Sequence, residues 1–323
     1  MIVSVVYGGK EEREASAKNA KDITDALISR GYTVHLLEFG ENIISKLQEL
    51  GTDVVYVCVQ GKGYGDGTLQ GMLEHEGIPF TGSGMRAACL INDKILCKLL
   101  FDRVGIPTPK WDILTKKQYF EGNYPFEEFG FPFLAKAPTQ GASCGIEIIR
   151  GKDDISRIAN VFSFDDPILL ERFIIGTYCT VGFYERHGQI VTLPVVKFIY
   201  PEIGDNAKAF EDNIFLTGQV PVKHKVVKCG FPAELEESIL RTAEKVFEVT
   251  GAKGAARVDF MLEEKTQIPY VLEINAVPSL RRTSSMSKEP ATMPQEAAFA
   301  GIRYEDMIED ILKSALQEDL NNV

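Results

Sequence analysis

Two segments in the last third of the chain, Arg-Val-Asp-Phe from residue 257 and Leu-Glu-Ile-Asn from residue 272, alternate polar and apolar residues. Side chains two residues apart in a β-strand lie on the same face. The pattern therefore predicts one polar face with Arg257 and Asp259 and another with Glu273 and Asn275. The polar stretch 263–267 predicts a connection that brings the strands side by side. Any two half-buried strands with a solvated face show this alternation, so both interpretations stay open.

The polar residues of these two segments suit one chemical task. Carboxylate and amide oxygens that leave room for phosphate oxygens are the ligands that Mg²⁺ prefers. A neighbouring arginine neutralises charge on a phosphoryl group during its transfer. The pattern raises the hypothesis of a phosphoryl-transfer site formed by Asp259, Glu273, Asn275 and Arg257.

The first third of the chain alternates between strand-like and helix-like patterns. Strands are predicted at 2–6, 32–38 and 53–59, and a helix at 11–30. Strands separated by helices indicate a parallel sheet with right-handed crossovers. The first strand leads into Gly-Gly-Lys-Glu-Glu at 8–12 instead of a GxGxxG fingerprint, which disfavours a hydride-transfer dinucleotide fold. The glycine-dense loop 61–67 precedes a predicted helix at 68–75 and suits either an anion at the helix N-terminus or a tight turn.

The middle of the chain contains a predicted helix at 85–103 that ends in Gly-Ile-Pro-Thr-Pro at 105–109, a pattern typical of an interdomain linker. Further elements are predicted as strands at 133–137, 145–150 and 168–173, a hairpin of 178–185 with 189–198, and an amphipathic helix at 233–250. The small-residue loop 139–145, flanked by Lys136, is either a phosphate cradle or a plain β-turn. The polar stretch 200–213 is long enough to be an active-site lid.

Length, charge and cysteine usage narrow the class of protein. A chain of 323 residues is long for one hydrophobic core, so two or three domains are expected. A net charge of −11 argues against a nucleic-acid-binding surface. The six cysteines are scattered without a CxxC pair and the four histidines have no metal-ligand spacing, which favours a reducing cytoplasm over a disulfide framework or a zinc site. The sequence contains no signal-peptide pattern and no apolar run long enough to span a bilayer, so no membrane association is expected.

Several motifs, taken in order, resemble one known family. They are Gly8-Gly9 with Glu12-Arg13-Glu14, Gly67-Thr68-Leu69-Gln70-Gly71, Gly77–Gly84, Asp93-Lys94, Gly105–Pro109, Lys136 with Gly141-x-Ser143-x-Gly145, Arg257-Val258-Asp259, and Glu273-x-Asn275-x-x-Pro278. In order and spacing this set is similar to the D-alanine–D-alanine ligase branch of the ATP-grasp superfamily, and the similarity covers nearly the whole chain.

The resemblance implies an α/β, three-domain ATP-grasp architecture with an N-terminal parallel α/β domain. The implied boundaries are 1–93 for an N-terminal substrate domain, 94–182 for a central ATP-grasp lid domain and 183–323 for a C-terminal catalytic domain. It also implies a cytoplasmic, homodimeric ligase that binds ATP with two Mg²⁺ ions, or Mn²⁺ in their place, and acts on small-molecule substrates. In this family the γ-phosphoryl group of ATP passes to a substrate carboxylate, and an amine then attacks the acyl phosphate.

Roles carry over from the resemblance residue by residue. Those on the nucleotide side are Lys94, Lys136 and Ser143 at the ATP phosphates, Glu171 facing adenine, and Lys208 as a looser match to a lid lysine. Those at the metal ions are Asp259, Glu273 and Asn275. Those at the reacting groups are Arg257 at the acyl phosphate, Glu12 at the amino group of the first amino acid, and Ser284 near the carboxylate of the second.

The chain departs from the family pattern on the amino-acid side of the site. The family motif His-Gly-x-x-Gly-Glu-Asp-Gly becomes Gln-Gly-Lys-Gly-Tyr-Gly-Asp-Gly at 60–67. A loop serine becomes Ala142, the lid tyrosine becomes Ala209, and a ribose-contacting glutamate becomes Tyr178. Each hydrogen-bond partner lost from a buried network costs about 1–3 kcal/mol, so these changes together predict a different substrate.

Changes near the second amino-acid subsite point the same way. The glycine after Pro278 is Ser279, and Arg281 and Arg282 add two cations that would either bind an additional substrate carboxylate or be solvated. The sequence thus predicts an ATP-dependent carboxylate–amine ligase that forms peptide bonds with altered amino-acid specificity. The alternatives are a genuine D-alanine–D-alanine ligase of cell-wall synthesis and a non-catalytic ATP-binding relative.

Overall fold

A computed structural model describes residues 1–9, 13–61, 63, 65–141, 144–199, 225–282 and 290–317. Four residues with predicted roles, Glu12, Ser143, Lys208 and Ser284, lie outside these described residues, as does the predicted lid at 200–213.

The described elements alternate between strand and helix in the first third of the chain. The strands are β1 Ile2–Tyr7, β2 Thr33–Glu38, β3 Val54–Val57, β4 Trp111–Leu114, β5 Phe133–Lys136, β6 Ile146–Ile149, β7 Ile168–Arg172, β8 Gly176–Arg186, β9 Gln189–Thr192, β10 Val196–Ile199, β11 Lys225–Lys228, β12 Ala255–Glu263 and β13 Pro269–Asn275. The helices are α1 Arg13–Ser29, α2 Ile43–Glu49, α3 Thr68–Glu76, α4 Met85–Asn92, α5 Lys94–Val104, α6 Lys116–Phe120, α7 Phe126–Phe129, α8 Ile158–Val161, α9 Ala233–Thr250, α10 Thr292–Phe299 and α11 Tyr304–Gln317, with a 3₁₀ helix at Lys152–Arg157.

The N-terminal sheet is parallel, as the sequence pattern predicted. Its strand order is β2-β1-β3, and β1 pairs in parallel with both neighbours. The residues of β1 from Val3 to Val6 are all buried. A continuous buried run of this kind is expected where helices cover both faces of a parallel sheet.

The predicted single helix at 85–103 is wrong, because the chain forms two helices that meet at Asp93. Asp93 has an extended backbone, and its carboxylate accepts hydrogen bonds from the amides of Ile95 and Leu96. Aspartate favours this N-cap position because its side chain satisfies amides that have no partner inside the helix. The apolar periodicity of α4 and α5 is similar, which hid the break. The new N-terminus places Lys94 at the first position of α5.

A four-stranded antiparallel sheet follows, with the order β4-β7-β5-β6. Phe133 and Leu170 lie in its buried apolar core. Lys136 ends β5 and lies opposite Leu169 of β7, so the lysine and the neighbouring Glu171 belong to adjacent strands. The predicted strands at 133–137, 145–150 and 168–173 are confirmed with small shifts of their ends.

The largest sheet contains the two segments with alternating polarity. β12 lies between β8 and β13 and is antiparallel to both. The apolar side chains of Val258 and Phe260 are fully buried in the core beneath this sheet. The predicted hairpin is confirmed for β8 with β9, but the second strand is not continuous to residue 198. It breaks after Thr192, and β10 then pairs with β8 further along at Thr180 and Cys179.

The C-terminal helix and two glycines join the N-terminal sheet to the largest sheet. α11 packs against both α1 and β8. Gly254, just before β12, approaches Gly82 so closely that an added Cβ would lie 2.5 Å from the Gly82 amide nitrogen. The proposed domain boundaries remain a prediction; β8 runs across the second boundary, after residue 182.

Candidate active site

One face of the largest sheet carries the predicted polar residues together. In the antiparallel register, Arg257 lies opposite Asn275 and Asp259 lies opposite Glu273. The guanidinium of Arg257 donates to both carboxylate oxygens of Asp259, from Nε and from Nη2, at 2.8 Å each. Asn275 Nδ2 donates to Asp259 Oδ2 at 3.0 Å. The structure therefore brings together the four side chains that the sequence predicted to share a face.

Asp259 is the centre of this polar face, and its side chain is only 1% exposed. Thr180 of the neighbouring strand β8 donates its hydroxyl to Asp259 Oδ1 at 2.7 Å. Tyr178, two residues before it, also faces this carboxylate, and burial together with the negative charge raises the pKa of Tyr178 well above its ordinary value. Burial disfavours the charge of Arg257, but the ion pair with Asp259 more than offsets this, so the pKa of Arg257 is raised.

Lys94 reaches this face from the start of α5. Its ammonium lies 3.3 Å from Glu273 Oε2 and donates to the backbone carbonyl of Gln140 at 2.7 Å. The Lys94 amide donates to the carbonyl of Pro138 at 3.1 Å. Lys94 therefore connects β13 with the loop between β5 and β6, the loop that the sequence suggested as a phosphate cradle. Only the ends of that loop are described, because Ala142 and Ser143 lie outside the described residues.

A buried ion triad lies one helical turn further along α5. The Lys98 ammonium lies 2.5 Å from Glu171 Oε2, and Lys136 pairs with Oε1 of the same carboxylate. Lys98 also contacts the Thr108 hydroxyl and donates to the carbonyl of Val271 at 3.3 Å. The triad thus links α5 with β5, β7 and β13.

The charges of this triad depend on one another. Burial alone would raise the pKa of Glu171, but the two ammonium groups more than offset it, so the pKa of Glu171 is lowered. Burial lowers the pKa of Lys98, and the attraction of Glu171 offsets only part of that effect. Two cations around one carboxylate leave net positive charge between the two antiparallel sheets. Such charge suits an anionic ligand. Glu171 itself is already paired, with Lys136 at Oε1 and with Lys98 at Oε2.

Sequence reasoning missed Lys98, although the chain contains a signal for it. Lys98 stands three residues after Ile95 and three before Phe101, and all three side chains lie on the buried face of α5. A lysine at an otherwise apolar helical position requires a buried counter-charge. Glu171, inside the apolar strand β7, is the matching signal on the other side. Neither signal says which lysine pairs with which carboxylate, because that depends on tertiary packing.

The segment 278–282, predicted to lie near the second substrate, is held against α1 and α11. The Leu280 amide donates to Asn19 Oδ1 at 2.9 Å, and the Tyr304 hydroxyl donates to the Leu280 carbonyl at 2.8 Å. Arg282 forms an ion pair with Glu305 and lies over the ring of Tyr304, 5.3 Å from its centroid.

Arg281 has a different environment from its neighbour. Its Nε donates to the Ser279 hydroxyl at 3.1 Å, and this is the one side-chain contact that the described residues provide for its guanidinium. Arg282 is therefore engaged in holding the fold, whereas Arg281 has guanidinium donors that the described residues leave unused.

The loop 61–67 has a structural explanation of its own. Asp66 accepts hydrogen bonds from the amides of Gly63 and Thr68 and from the Thr68 hydroxyl, which closes the turn before α3. A Cβ added at Gly67 would lie 2.7 Å from Cys89 Sγ. Gln60, at the position of the family histidine, donates to the Val277 carbonyl at 3.2 Å. Within the described part of this loop, the tight-turn interpretation accounts for the glycines.

A family model for the C-terminus of D-ala D-ala ligase matches residues 100–313, more than half of the chain. The chain belongs to the D-alanine–D-alanine ligase family. The D-alanine–D-alanine ligase of Carboxydothermus hydrogenoformans is 31% identical over 98% of this chain and 99% of its own length. That of Syntrophotalea carbinolica is 32% identical over 97% of this chain and 95% of its own length.

Solved structures give the same result for the fold. A D-alanine–D-alanine ligase from Bacillus anthracis, complexed with ATP, superposes with a TM-score of 0.81 at 26% identity, and all of both chains is covered. A ligase from Coxiella burnetii has the same TM-score at 19% identity, covering 100% of this chain and 95% of its own, which speaks for the fold alone. The α/β ATP-grasp fold class predicted from the sequence is confirmed. In the described part of the chain, no helix is long and apolar enough to cross a membrane.

Proposed function

We propose that this protein is an ATP-dependent ligase that joins a carboxylate to an amine through an acyl phosphate. We further propose that its amino-acid specificity differs from that of its D-alanine–D-alanine ligase relatives. The observation that carries the first proposal is the face formed by Arg257, Asp259, Glu273 and Asn275, with Lys94 at its edge. The cytoplasmic location and the homodimeric state expected from the family resemblance both stay predictions.

The nucleotide would lie between the four-stranded and the largest antiparallel sheet. Lys94 and Lys136 were predicted at its phosphates, and the structure adds Lys98, which shares Glu171 with Lys136 and contacts β13. Together they supply the positive charge that phosphoryl transfer needs in a site shielded from water. The complex of the Bacillus anthracis relative with ATP supports this nucleotide. The role of Glu171 at adenine stays a prediction, as do those of Ser143 and Lys208.

The donor atoms on β12 and β13 fit a magnesium site. Asp259, Glu273 and Asn275 present carboxylate and amide oxygens, the hard ligands that Mg²⁺ prefers, and a bound ion would keep further positions for phosphate oxygens. Among the described residues, no three or more His, Cys, Asp or Glu side chains form a metal cluster, and the proposed set accordingly combines two carboxylates with the amide of Asn275. When bound, the metal would neutralise phosphate charge.

Arg257 is the residue best placed to act on the reacting group. Its side chain is 19% exposed, whereas its partner Asp259 is 1% exposed, so the guanidinium is the more accessible member of the pair. A fixed cation stabilises the negative charge that develops on the acyl phosphate and on the tetrahedral intermediate. Glu12 and Ser284, predicted at the amino group and the carboxylate of the two amino acids, keep those roles as predictions.

Altered specificity is supported by the segment 278–282 and by Gln60. The side-chain amide of Gln60 donates to the Val277 carbonyl. An amide cannot take up a proton as the imidazole of a histidine can, so Gln60 offers a substrate different hydrogen bonds at this position. Ser279 accepts a hydrogen bond from Nε of Arg281, and the guanidinium donors that the described residues leave unused suit a second carboxylate on the substrate. Because Arg282 is paired with Glu305, we assign the recognition of such a carboxylate to Arg281.

The direct test is ADP release with Mg²⁺ and ATP against a panel of D- and L-amino acids, singly and in pairs, with product masses. The panel includes dicarboxylic amino acids. We expect turnover with a pair other than D-alanine alone, and a product mass that shows one new amide bond. Robust turnover with D-alanine alone would overturn the altered specificity and establish a genuine D-alanine–D-alanine ligase, the function that the names of its relatives favour.

A non-catalytic ATP-binding relative is the third possibility, and it predicts a different result. Such a protein would bind Mg²⁺ and ATP without releasing ADP in the presence of any acid–amine pair. The paired arrangement of Arg257 with Asp259 and of Lys94 with Glu273 argues for retained chemistry. Equilibrium binding of ATP beside the ADP assay separates the two cases.

A further inference from the structure

A second buried carboxylate lies beside the reactive arginine. Glu296 is on α10, which packs against β8, and it is fully buried. Its carboxylate lies over Gly182 of β8, where an added Cβ would be 2.3 Å from Glu296 Oε2. Gly182 is paired directly with Arg257 in the sheet. Glu296 therefore approaches the guanidinium from the helix side, and glycine at position 182 makes the room for it.

The Glu296 carboxylate has an unusual lack of partners for its degree of burial. Neither oxygen forms a full hydrogen bond with the described residues; the Gly182 backbone is the donor that faces it. Burial raises the pKa of Glu296 to about 8, and the attraction of Arg257 offsets only part of this. A buried polar group without partners is costly and rare in native proteins, so the Glu296 carboxylate calls for an explanation.

Arg257 is the cation that can satisfy this carboxylate. In the described state its Nε and Nη2 donate to Asp259. If Asp259 ligates a metal ion, as the proposed function requires, it must give up part of this bidentate pairing. The guanidinium donors released in this way need a new acceptor, and the buried Glu296 carboxylate, which lies over the strand partner of Arg257, is a candidate.

We propose that Glu296 is a positioning residue for Arg257, a second anchor that holds the guanidinium in the site when Asp259 is engaged elsewhere. This inference rests on the proposed ligase function, since Arg257 is positioned for the acyl phosphate. Glu296 acts through Arg257 and does not itself contact the substrate.

Kinetics of Glu296→Gln provide the first test, because glutamine keeps the shape of the side chain but cannot ionise to pair with Arg257. We expect kcat to fall by at least about tenfold while the KM for ATP stays within about twofold. We expect the thermal unfolding midpoint near pH 7 to stay about equal, because a carboxyl group with a pKa of about 8 is already largely neutral there, as glutamine is. Glu296→Asp, which retains a carboxylate, should recover part of kcat. Glu264→Gln, at an exposed position in the turn after β12, is the control.

Two results would overturn the proposal. One is a kcat of Glu296→Gln equal to that of the parent. The other is a fall in kcat that follows a matching loss of folded protein, which would mark a purely structural role.

A double-mutant cycle in the ligand-free protein separates failure of this inference from failure of the ligase function. Asp259→Asn, Glu296→Gln and the double variant are compared by urea unfolding. If Arg257 turns to Glu296 when Asp259 is weakened, the double variant is less stable than the two single effects predict. Additive effects contradict the positioning role even if the parent releases no ADP with any substrate pair.

Discussion

The Asp259 carboxylate accepts two hydrogen bonds from Arg257 and one each from Thr180 and Asn275, and the Tyr178 hydroxyl faces it as well. A carboxylate has about four acceptor positions, so this group is saturated in the described structure. Glu273, by contrast, is 35% exposed, and within the described part of the chain its ion-pair partner is Lys94. At the residue scale, then, the two carboxylates of the proposed metal site differ in how readily a cation reaches them.

Replacing Glu273 by glutamine should lower the rate of ADP formation by at least about 100-fold, because one anionic metal ligand and the ion-pair partner of Lys94 are lost together. The fold should persist, since the side chain is partly exposed.

Arg257→Ala should have an equal effect on turnover, with a lower unfolding midpoint, because the buried Asp259 loses its bidentate partner. A coupled ADP assay and thermal unfolding measure both effects. Near-parental turnover in either variant would remove the assignment of this face.

The break between α4 and α5 matters at the scale of elements, because it determines where Lys94 and Lys98 point. Asp93 fixes the start of α5, and the two lysines follow at its first and fifth positions. Positions four apart lie on the same helical face, so one helix start aligns both cations with the groove between the antiparallel sheets.

Asp93→Ala should destabilise the protein by about 1 kcal/mol, because the amides of Ile95 and Leu96 lose their acceptor. Asp93→Asn should retain most of that stability, since asparagine is an equally good N-cap. Urea unfolding of the two variants and the parent makes the comparison. Equal stability of the alanine and asparagine variants would show that the cap does not determine where α5 begins.

The buried triad of Lys98, Lys136 and Glu171 makes the stability of the fold depend on pH. Because the folded pKa of Glu171 is below the ordinary value of 4.5, its ionisation stabilises the fold above that pH, and this contribution is lost as pH falls through the folded pKa. The stability difference between parent and Glu171→Gln should therefore be largest near neutrality and shrink in acid. Thermal unfolding midpoints between neutral pH and mild acid measure it.

The control for this pH dependence is Glu127→Gln. Glu127 pairs with Lys152 at the surface, where both side chains are more than half exposed. Exposed pairs of this kind contribute little, so its midpoints should follow the parent at every pH. A difference between parent and Glu171→Gln that stays constant with pH would contradict an ionised Glu171.

At the scale of the whole molecule, the order of motifs predicted the fold, and strand alternation predicted the polar face at Arg257 and Asp259. Both rest on local spacing, which a sequence records directly. Lys98 and Glu296 escaped prediction because each acquires its meaning from a partner on another element. The break at Asp93 escaped because apolar periodicity is the same on both sides of it. Side-chain pairing between elements could therefore not be predicted from the sequence, because it depends on how the elements pack in the folded protein.

The approach of Gly254 to Gly82 provides a test at this scale. Gly254→Ala should be strongly destabilising, because its φ of +67° is strained for alanine and its new Cβ would meet the Gly82 backbone at 2.5 Å. Gly301→Ala is the matched control, with a φ of +77° and nothing within 4 Å of the added atom. The control carries only the strain, about 1 kcal/mol. Equal losses of stability in urea unfolding would show that the glycine contact is not tight.

The contact between Gly254 and Gly82 also bears on the proposed difference in substrate specificity. Side chains accommodate a new neighbour by changing rotamer, whereas two peptide backbones in contact have no such freedom. The backbone contact between Gly254 and Gly82 therefore fixes the distance between the start of β12 and the segment that follows the N-terminal sheet. If the substrate differs as proposed, the difference must therefore come from side chains such as Gln60, Ser279 and Arg281, because the two backbones in contact cannot move apart without losing this contact.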